Sequence, residues 1–443
     1  MKLNRPNRNT TRTHEGAPAF GHLKPIEQLR RSVMACMLWE REFYEDGVEI
    51  AERITSTALK CSAADLAALA VEARHAMKLR HAPLLLLEAL TVVGKHQTLV
   101  ADTFERVIQR ADELAEFLAI YWRKGKHPLS AQAKIGLARA FRKFDVYQLA
   151  KYDRPGKVKL RDVLRLTHPV PRDEAQADLW RRLLAGELVT ADTWETGLSA
   201  GADKNQVFTR LLEEGKLGYM ALLRNLRNME KAGVDRALVK QSILARKGAQ
   251  WVLPFRFVAA ARAVPSLEPV LDEALIAGLK DGAFFDGPTV VLVDVSDSMN
   301  WSLSKRSDMT RMDAACALAS IIVGEEVRVF SFSWSLVEVP YRLGMAGVDA
   351  IRTSQRHAGT NLGEALHALN NDRKLPHERL IVISDEQSHT RVPVPNFKRA
   401  YMINVASNQN GVGYGQGWTH MDGFSESVLQ YIHAVENARI DFV

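Results

Sequence analysis

The sequence predicts a multidomain fold in which an all-α part made of helical repeats is followed by an α/β part with a doubly wound parallel sheet. From about Leu23 to Lys280, apolar residues recur at helical spacing, with short breaks at Gly or Pro. After Gly282, apolar strand candidates alternate with helical stretches. The charge changes at the same place, because residues 1–280 hold 45 Lys and Arg against 33 Asp and Glu, whereas residues 281–443 hold 14 against 19.

The composition excludes several classes of protein. With 47% hydrophobic and 25% charged residues over 443 positions, the chain has the make-up of a soluble globular protein. Its apolar runs stop well short of the roughly 20 residues that a membrane helix needs, and the N-terminal segment MKLNRPNRNTTRTHEG lacks the apolar core of a secretory signal. Three scattered cysteines, Cys36, Cys61 and Cys316, suit a reducing compartment. We therefore expect a cytoplasmic protein without a membrane segment.

Short amphipathic segments follow one another through the helical part. Ser62, with Asp65 three residues later, is a capping signal that predicts a helix running toward Arg80, and Pro83 begins the next segment. Such a succession favours an α-solenoid of antiparallel helix pairs over one compact bundle. The basic surplus of this part predicts a polyanionic partner such as nucleic acid, and the alternative is a surplus spread over solvated helix faces.

Two of these helices carry basic side chains opposite an apolar face. Ser130 caps AQAKIGLARAFRKF, in which Leu137, Phe141 and Phe144 gather on one side. The predicted anion contacts of this region are Arg139, Arg142, Lys143 and, further on, Lys151. For Arg142, Lys143 and Lys151, a merely solvated helix face is the alternative.

The segment VKLRDVLRLTHP combines a packing face with three hydrogen-bond donors. The predicted packing residues are Leu160, Val163, Leu164 and Thr167. Arg161, Arg165 and His168 stand at i, i+4 and i+7 on a different face. Arginine matches phosphate with two parallel hydrogen bonds, and histidine can stack on an unpaired base. The alternative role of His168 is that of a C-terminal helix cap before Pro169.

In the α/β part, oxygen-bearing side chains follow three separate strands or loops. The strand from Thr289 to Val293 leads into D-x-S-x-S, and two further positions lie before a helix and after the strand RLIVIS. Because ligands of parallel sheets sit at the carboxyl ends of the strands, these residues are predicted to meet at one edge. The predicted ligands are Asp294, Ser296, Ser298, Thr360 and Asp385.

Carboxylates and hydroxyls form a hard-oxygen set that suits Mg²⁺, or Mn²⁺, with water completing the coordination. The alternative is that the serines cap the following helix and the aspartates are turn residues. A phosphatase of the haloacid type would need a second aspartate where Ser296 stands. Since no nucleophile with its base is apparent, we expect binding and not catalysis.

These five residues resemble, in order and spacing, the metal-ion-dependent adhesion site (MIDAS) of von Willebrand factor A domains. The resemblance implies an open coordination position that a carboxylate of a partner protein completes. The helical part has its own resemblance: FDVYQLAKYDRPGKVKLRDVLRLTHPVPRD and MALLRNLRNM are similar to the TROVE module of the Ro autoantigen and its bacterial relatives. WTHMDGFSESVLQYI resembles the closing segment of that family. The loop RPGKVK departs from one subgroup of it.

Together the resemblances imply a bacterial or phage Ro-like protein that is not an enzyme. Its parts would be a basic arm at residues 1–22, a HEAT-like TROVE ring at residues 23–280 and a von Willebrand factor A domain at residues 283–443. Such a monomer would bind small noncoding Y-like RNA and the ends of misfolded RNA in RNA quality control, with a protein partner such as a nuclease at the metal site. The main alternative is a scaffold whose helices bind protein, and a third is a metal hydrolase whose turnover depends on Asp294.

Overall fold

The computed structural model describes residues 11–12, 18–19, 25–34, 47–153, 156–189, 191–199, 201–279, 284–302, 309–406, 412, 417–422, 428–429, 432–433 and 436. The chain divides into two compact units. One consists of Ile50–Trp251, and the other joins the described residues of Met1–Glu49 to those of Val252–Val443. Most of the predicted N-terminal arm and part of the predicted closing segment lie outside the described residues.

The unit Ile50–Trp251 is built from α-helices connected by short turns. Their bounds are α2 (Gly47–Ala58), α3 (Ala63–His75), α4 (His81–Val93), α5 (Leu99–Val107), α6 (Ala111–Tyr121), α7 (Ala131–Phe141), α8 (Val146–Tyr152), α9 (Leu160–Thr167), α10 (Glu174–Ala185), α11 (Trp194–Ser199), α12 (Lys204–Glu213), α13 (Tyr219–Lys231) and α14 (Arg236–Leu244). Near neighbours in sequence pack on one another, as α3 does on α4 and α5, and as α7 does on α5 and α9. The predicted all-α character of this part is confirmed.

The predicted helix starts at Ser62 and Ser130 are confirmed, because each hydroxyl accepts a hydrogen bond from the backbone N–H three residues later. The helix after Ser62 ends at His75, short of the predicted Arg80. Lys78 adopts a left-handed backbone with φ 55°, and the N–H of Leu79 donates to the carbonyl of Ala73. This reversal closes the helix before its apolar pattern ends.

In the described part of the chain, the second unit contains the strands β1 (Thr11–Arg12) and β2 (Pro18–Ala19) and six α-helices with defined bounds. These helices are α1 (Pro25–Met34), α15 (Phe255–Ala263), α16 (Glu268–Leu279), α17 (Arg311–Ala319), α18 (Gly344–Arg352) and α19 (Leu362–Asn371). Although α15 and α16 precede the predicted boundary at residue 280, α15 packs on α17, and α16 packs on α18. Sequence pattern marks where helices give way to strands, and the packing of these two helices is decided by tertiary contacts.

A six-stranded mixed sheet forms the centre of the second unit. Its strands are β3 (Phe284–Asp294), β4 (Val323–Phe332), β5 (Leu336–Val339), β6 (Arg379–Ser384), β7 (Arg399–Asn404) and β8 (Thr419–Asp422), in the order β5-β4-β3-β6-β7-β8. The four predicted strands β3, β4, β6 and β7 are present and parallel, which confirms an α/β fold. The sheet is not purely parallel, because β5 returns antiparallel beside β4 through a short turn.

The order of the strands shows at which edge of the sheet a ligand of this type of fold would bind. From β3 the chain moves outward to β4 and β5 and then returns to the other side of β3 as β6. Ligands of open α/β sheets bind where the winding reverses in this way, at the carboxyl ends of the strands. α19 packs on the face that carries Val290 and Leu292, while α17 lies against β3. In the described part of the chain, no helix is long and apolar enough to cross a membrane.

Candidate metal centre and nucleic-acid interface

The carboxyl end of β3 carries Asp294, a predicted metal ligand that is fully buried. Its Oδ2 accepts a hydrogen bond of 2.7 Å from the hydroxyl of Ser384 at the end of β6. Its Oδ1 accepts one of 2.9 Å from the backbone N–H of Ser296. These two hydrogen bonds therefore fix the orientation of the Asp294 carboxylate at the point where the ends of β3 and β6 meet.

The two predicted serine ligands follow at once. Ser296 is buried and Ser298 is half-buried, and their hydroxyl oxygens lie 3.2 Å apart. Ser296 precedes a short 3₁₀ turn, Asp297–Asn300, but its side chain makes no capping hydrogen bond there. Ser296 therefore does not cap this turn, and the side chain of Asp297 is exposed.

Asp385 lies directly after β6 and is also fully buried. Its Oδ1 accepts a hydrogen bond of 3.2 Å from the N–H of Gln387, and its Oδ2 lies 3.5 Å from Nη1 of the buried Arg311. Burial raises the pKa of Asp294 well above its usual range, and the negative charge of the nearby Asp385 carboxylate raises it further. The two carboxylates are therefore close enough to repel each other when both are ionised, and Arg311 supplies one compensating charge.

Thr360 reaches the same edge through two loop contacts. The N–H of Asp297 donates to the carbonyl of Ala358 at 2.8 Å, which ties the serine turn to the loop before Thr360. The N–H of His389, four residues after Asp385, donates to the carbonyl of Thr360 at 3.0 Å. The N–H of Thr360 in turn lies 3.1 Å from Nδ1 of His389.

This set could hold a hard divalent cation. Asp294 and Asp385 are carboxylates in a buried like-charge pair, which a cation would relieve, and hydroxyl oxygens are the other predicted ligands. No cluster of three or more His, Cys, Asp or Glu side chains suited to a metal occurs in the described part of the chain, so a site here would depend on the hydroxyls. Arg311 offers a competing way to neutralise Asp385.

The sequence prediction omits two neighbours of this edge, Ser384 and Arg311. Ser384 comes directly before Asp385 at a strand end, a position that could have identified it. Arg311 belongs to a helix that only tertiary folding brings here. Glu386, which follows Asp385 in the chain, pairs with His420, and both buried side chains are likewise absent from the prediction.

In the helical unit, α9 shows the predicted division into two faces. Its buried residues are Leu160, Val163, Leu164 and Thr167, so the predicted packing face is confirmed. This helix packs against α6, α7 and α10. Arg165 and His168 are exposed and Arg161 is half-buried. Within the described residues, the two guanidinium groups form no hydrogen bond or ion pair with protein.

His168 ends α9 through its backbone. It adopts the left-handed conformation, with φ 46° and ψ 55°, and its N–H donates to the carbonyl of Leu164 at 3.0 Å. A non-glycine residue rarely takes this conformation, and histidine is among those that tolerate it. His168 is therefore a C-terminal cap, as the alternative interpretation predicts, but its imidazole remains exposed and able to contact a ligand.

Two of the other predicted RNA contacts are engaged with protein. Nη1 of Arg139 lies 2.7 Å from Oδ1 of Asp102. The ammonium of Lys143 donates to the carbonyl of Glu105 at 2.5 Å and to that of Ile108, where it satisfies the end of α5. Burial lowers the pKa of Lys143. For both residues the geometry favours a structural role.

Arg142 is exposed at the end of α7, and Lys151 lies among aromatic rings. The ammonium of Lys151 is 5.7 Å from the ring centres of both Tyr147 and Tyr152, and the guanidinium of Arg110 is 5.0 Å from Tyr152. The sequence prediction omits these tyrosines, although aromatic residues interleaved with basic ones on a short helix are a signal for stacking on bases.

Comparison with known proteins adds independent information. Residues 175–278 match the model of the TROVE domain, a span that includes MALLRNLRNM but not the first predicted motif. A stretch of 100 residues is 35% identical to telomerase protein component 1 of Mus musculus, and a stretch of the same length is 34% identical to that of Rattus norvegicus. Each alignment covers 21% of this chain and 4% of the relative, so the chain spans a small fraction of those proteins.

The fold has a counterpart among solved structures. The crystal structure of the Ro (RSR) protein of Deinococcus radiodurans matches with a TM-score of 0.62 at 16% identity, covering 92% of this chain and 100% of that chain. At this identity the likeness shows the fold alone. The predicted resemblance is thus confirmed in two respects: residues 175–278 match the model of the TROVE domain, and the fold is similar to that of the Deinococcus Ro protein.

Proposed function

We propose that this protein binds RNA through its helical unit, as a Ro-type protein. The TROVE match and the Ro-like fold support this role, and the basic surplus of the helical part agrees with a polyanionic ligand. The proposed ligands are small noncoding Y-like RNAs and the ends of misfolded or single-stranded RNA, which would give the protein a part in RNA quality control.

The observation that carries the RNA proposal is the exposed side of α9. The apolar face of α9 is buried against neighbouring helices. By contrast, Arg161 and Arg165 have no protein partner among the described residues, and the imidazole of His168 is exposed. Guanidinium groups one turn apart can each bind a phosphate, and a ring at the next turn can stack on a base. Arg142 and Lys151 are further proposed contacts, while Arg139 and Lys143 are weaker candidates.

Sequencing the RNA that copurifies with the protein tests this proposal. We expect a small set of structured RNAs, and we expect gel shifts with them whose dissociation constants rise steeply with salt. If no RNA copurifies and none shifts at low salt, the alternative of a protein-binding helical scaffold replaces it.

We further propose that the α/β domain is a von Willebrand factor A domain with a MIDAS that holds Mg²⁺, or Mn²⁺. The meeting of Asp294, Asp385 and the hydroxyls of Ser296 and Ser298 at the reversal point of the sheet supports this, as does the buried like-charge pair. Thr360 and water would complete the set. The cation would offer one open position to a carboxylate of a protein partner such as a nuclease.

Binding and not catalysis is the proposed role of this edge. The described residues around Asp294 offer an arginine, hydroxyls and carboxylates, and the carboxylate that the Ser384 hydroxyl contacts is itself a proposed ligand of the cation. Mg²⁺ should raise the melting temperature of the protein, and Asp294→Ala should abolish the rise. Turnover of a phosphate ester that is lost in the same variant would favour a metal hydrolase instead.

A further inference from the structure

An exposed tryptophan lies next to the proposed metal site. Trp334 follows β4 by two residues, and the last residue of that strand, Phe332, pairs with Asp294 across the sheet. Its side chain is 63% exposed. Tryptophan is enriched among the residues that dominate binding energies, so an exposed tryptophan beside a proposed metal site is a candidate contact.

The tryptophan forms an aromatic wall together with His389. Their ring centres lie 6.2 Å apart, with planes inclined by 36°. Both rings stand over Gly359, since a Cβ placed there would lie 3.2 Å from Cε1 of His389 and 3.7 Å from the ring of Trp334. Gly359 directly precedes Thr360, so the wall stands over the loop that carries a proposed metal ligand.

The loops around this wall carry positive charge. In the fully described segments 353–361 and 386–392, the charged residues are the exposed Arg356 and Arg391 and the buried Glu386. His357 and His389 are exposed on the same loops. An acidic ligand would meet two cations on these two loops, whereas the adjoining serine turn contributes one exposed carboxylate, that of Asp297.

We propose that the partner of the metal site is an acidic peptide segment in which the coordinating carboxylate is flanked by an aromatic or branched apolar side chain that packs on Trp334 and His389. The inference rests on the proposed metal site and deepens it, because the wall would select the residue next to the carboxylate. A peptide is favoured over RNA because residues 281–443 carry 14 basic against 19 acidic residues. This net negative charge repels a long polyanion such as RNA, but it still allows a short acidic segment to bind.

A peptide array tests this preference. Peptides with a central Asp and every residue type at the two neighbouring positions would be probed with the full-length protein in Mg²⁺ and in EDTA. We expect binding in Mg²⁺ alone, strongest where Trp, Phe, Leu or Ile flanks the Asp. For the best peptide, Trp334→Ala should weaken binding by about tenfold or more, as is typical for a central aromatic contact, and Trp334→Phe should retain most of it.

Trp251→Ala is the matched control, because that side chain is also 63% exposed but belongs to the helical unit. It should bind the peptide as the parent does. The inference is overturned if Trp334→Ala binds equally well, if the array shows no apolar preference or no binding, or if single-stranded RNA and not peptide binds in a Trp334-dependent way. Peptide binding that persists in EDTA likewise overturns the inference. In all of these cases a Mg²⁺-dependent rise in melting temperature still supports the metal site, whereas the absence of that rise rejects both the metal site and the inference.

Discussion

The hydroxyl of Ser384 donates a hydrogen bond of 2.7 Å to Oδ2 of Asp294 and so joins the ends of β6 and β3. Since the N–H of Ser296 holds the other carboxylate oxygen, Asp294 is oriented from two sides. Groups that orient a metal ligand in this way contribute to affinity although they do not touch the metal.

Replacing Ser384 by Ala should therefore weaken Mg²⁺ binding by about tenfold, the lower end of the usual effect of removing such a group. The measurement is the Mg²⁺ concentration that gives half of the rise in melting temperature. Ser320→Ala is a matched control, because Ser320 is also buried and its hydroxyl donates only to the carbonyl of Ala317. If Ser384→Ala and Asp294→Ala both respond to Mg²⁺ as the parent does, the cation does not bind here.

Replacing Arg161 and Arg165 together by Gln should weaken the binding of all RNAs alike. Each lost phosphate contact with a single strand should reduce the slope of log K against log salt by about 0.7. Gel shifts of two RNAs at three salt concentrations measure the slope. The double variant Arg181→Gln, Arg182→Gln removes the same charge from exposed residues that pair with Asp178, and it should leave the slope unchanged. Equal slopes in all three proteins would argue against phosphate contacts on α9.

His168 combines a left-handed backbone with an exposed ring, and substitutions can separate the two roles. His168→Asn keeps a residue that tolerates this conformation, and His168→Gly should raise stability by about 1 kcal/mol because glycine relieves its strain. If the ring stacks on a base, both variants should lose about 1 to 3 kcal/mol of affinity for the cognate structured RNA. Unchanged affinity alongside the expected melting temperatures would leave His168 as a helix cap only.

Substitutions at the contact between α16 and α18 should destabilise the protein. Oδ1 of Asp272 accepts a hydrogen bond of 2.7 Å from the N–H of Met345 in the first turn of α18. Asp272→Ala should cost about 1 kcal/mol, as for the loss of a helix cap. Gly344→Ala should cost more, since φ is +65° there and a Cβ would lie 2.2 Å from the Asp272 oxygen. Urea unfolding measures both, and Glu273→Ala, an exposed neighbour, should be neutral.

The protein should lose stability in acid because Glu436 becomes protonated. Burial alone would raise its pKa, but hydrogen bonds from Arg379 and Tyr401 and the charges of Arg379 and Arg399 lower that pKa below its usual value of 4.5. A lowered folded-state pKa contributes stability above pH 4.5 that is lost as the pH falls through the folded-state value. Glu436→Gln should thus destabilise the protein at pH 7 by about 3 to 5 kcal/mol, because it leaves the buried Arg379 unbalanced. The difference from the parent should shrink in urea titrations at pH 3, and a constant difference would contradict this account.

Local sequence determined the elements of this protein and the residues at their ends. The helical period placed Leu160, Val163, Leu164 and Thr167 on the buried side of α9, and continuous apolar runs identified the four parallel strands. It also predicted that Asp294 and Asp385 would lie at the same edge of the sheet, because parallel strands bring their carboxyl ends to one edge. These features follow from spacing alone, since side-chain direction repeats with the period of the backbone.

Tertiary structure decided which of these side chains have partners. Only folding brought Ser384 to Asp294, Lys143 to the end of α5, and Trp334 to His389. Each contact joins residues 35 or more positions apart, a separation at which no helix or strand periodicity applies. It also placed α15 and α16 against the α/β helices, although their pattern is that of the preceding helices. An apolar pattern in the sequence shows that a helix face must be buried, but not which surface covers it. The covering surface is determined by the shape and charge of the two faces that pack together.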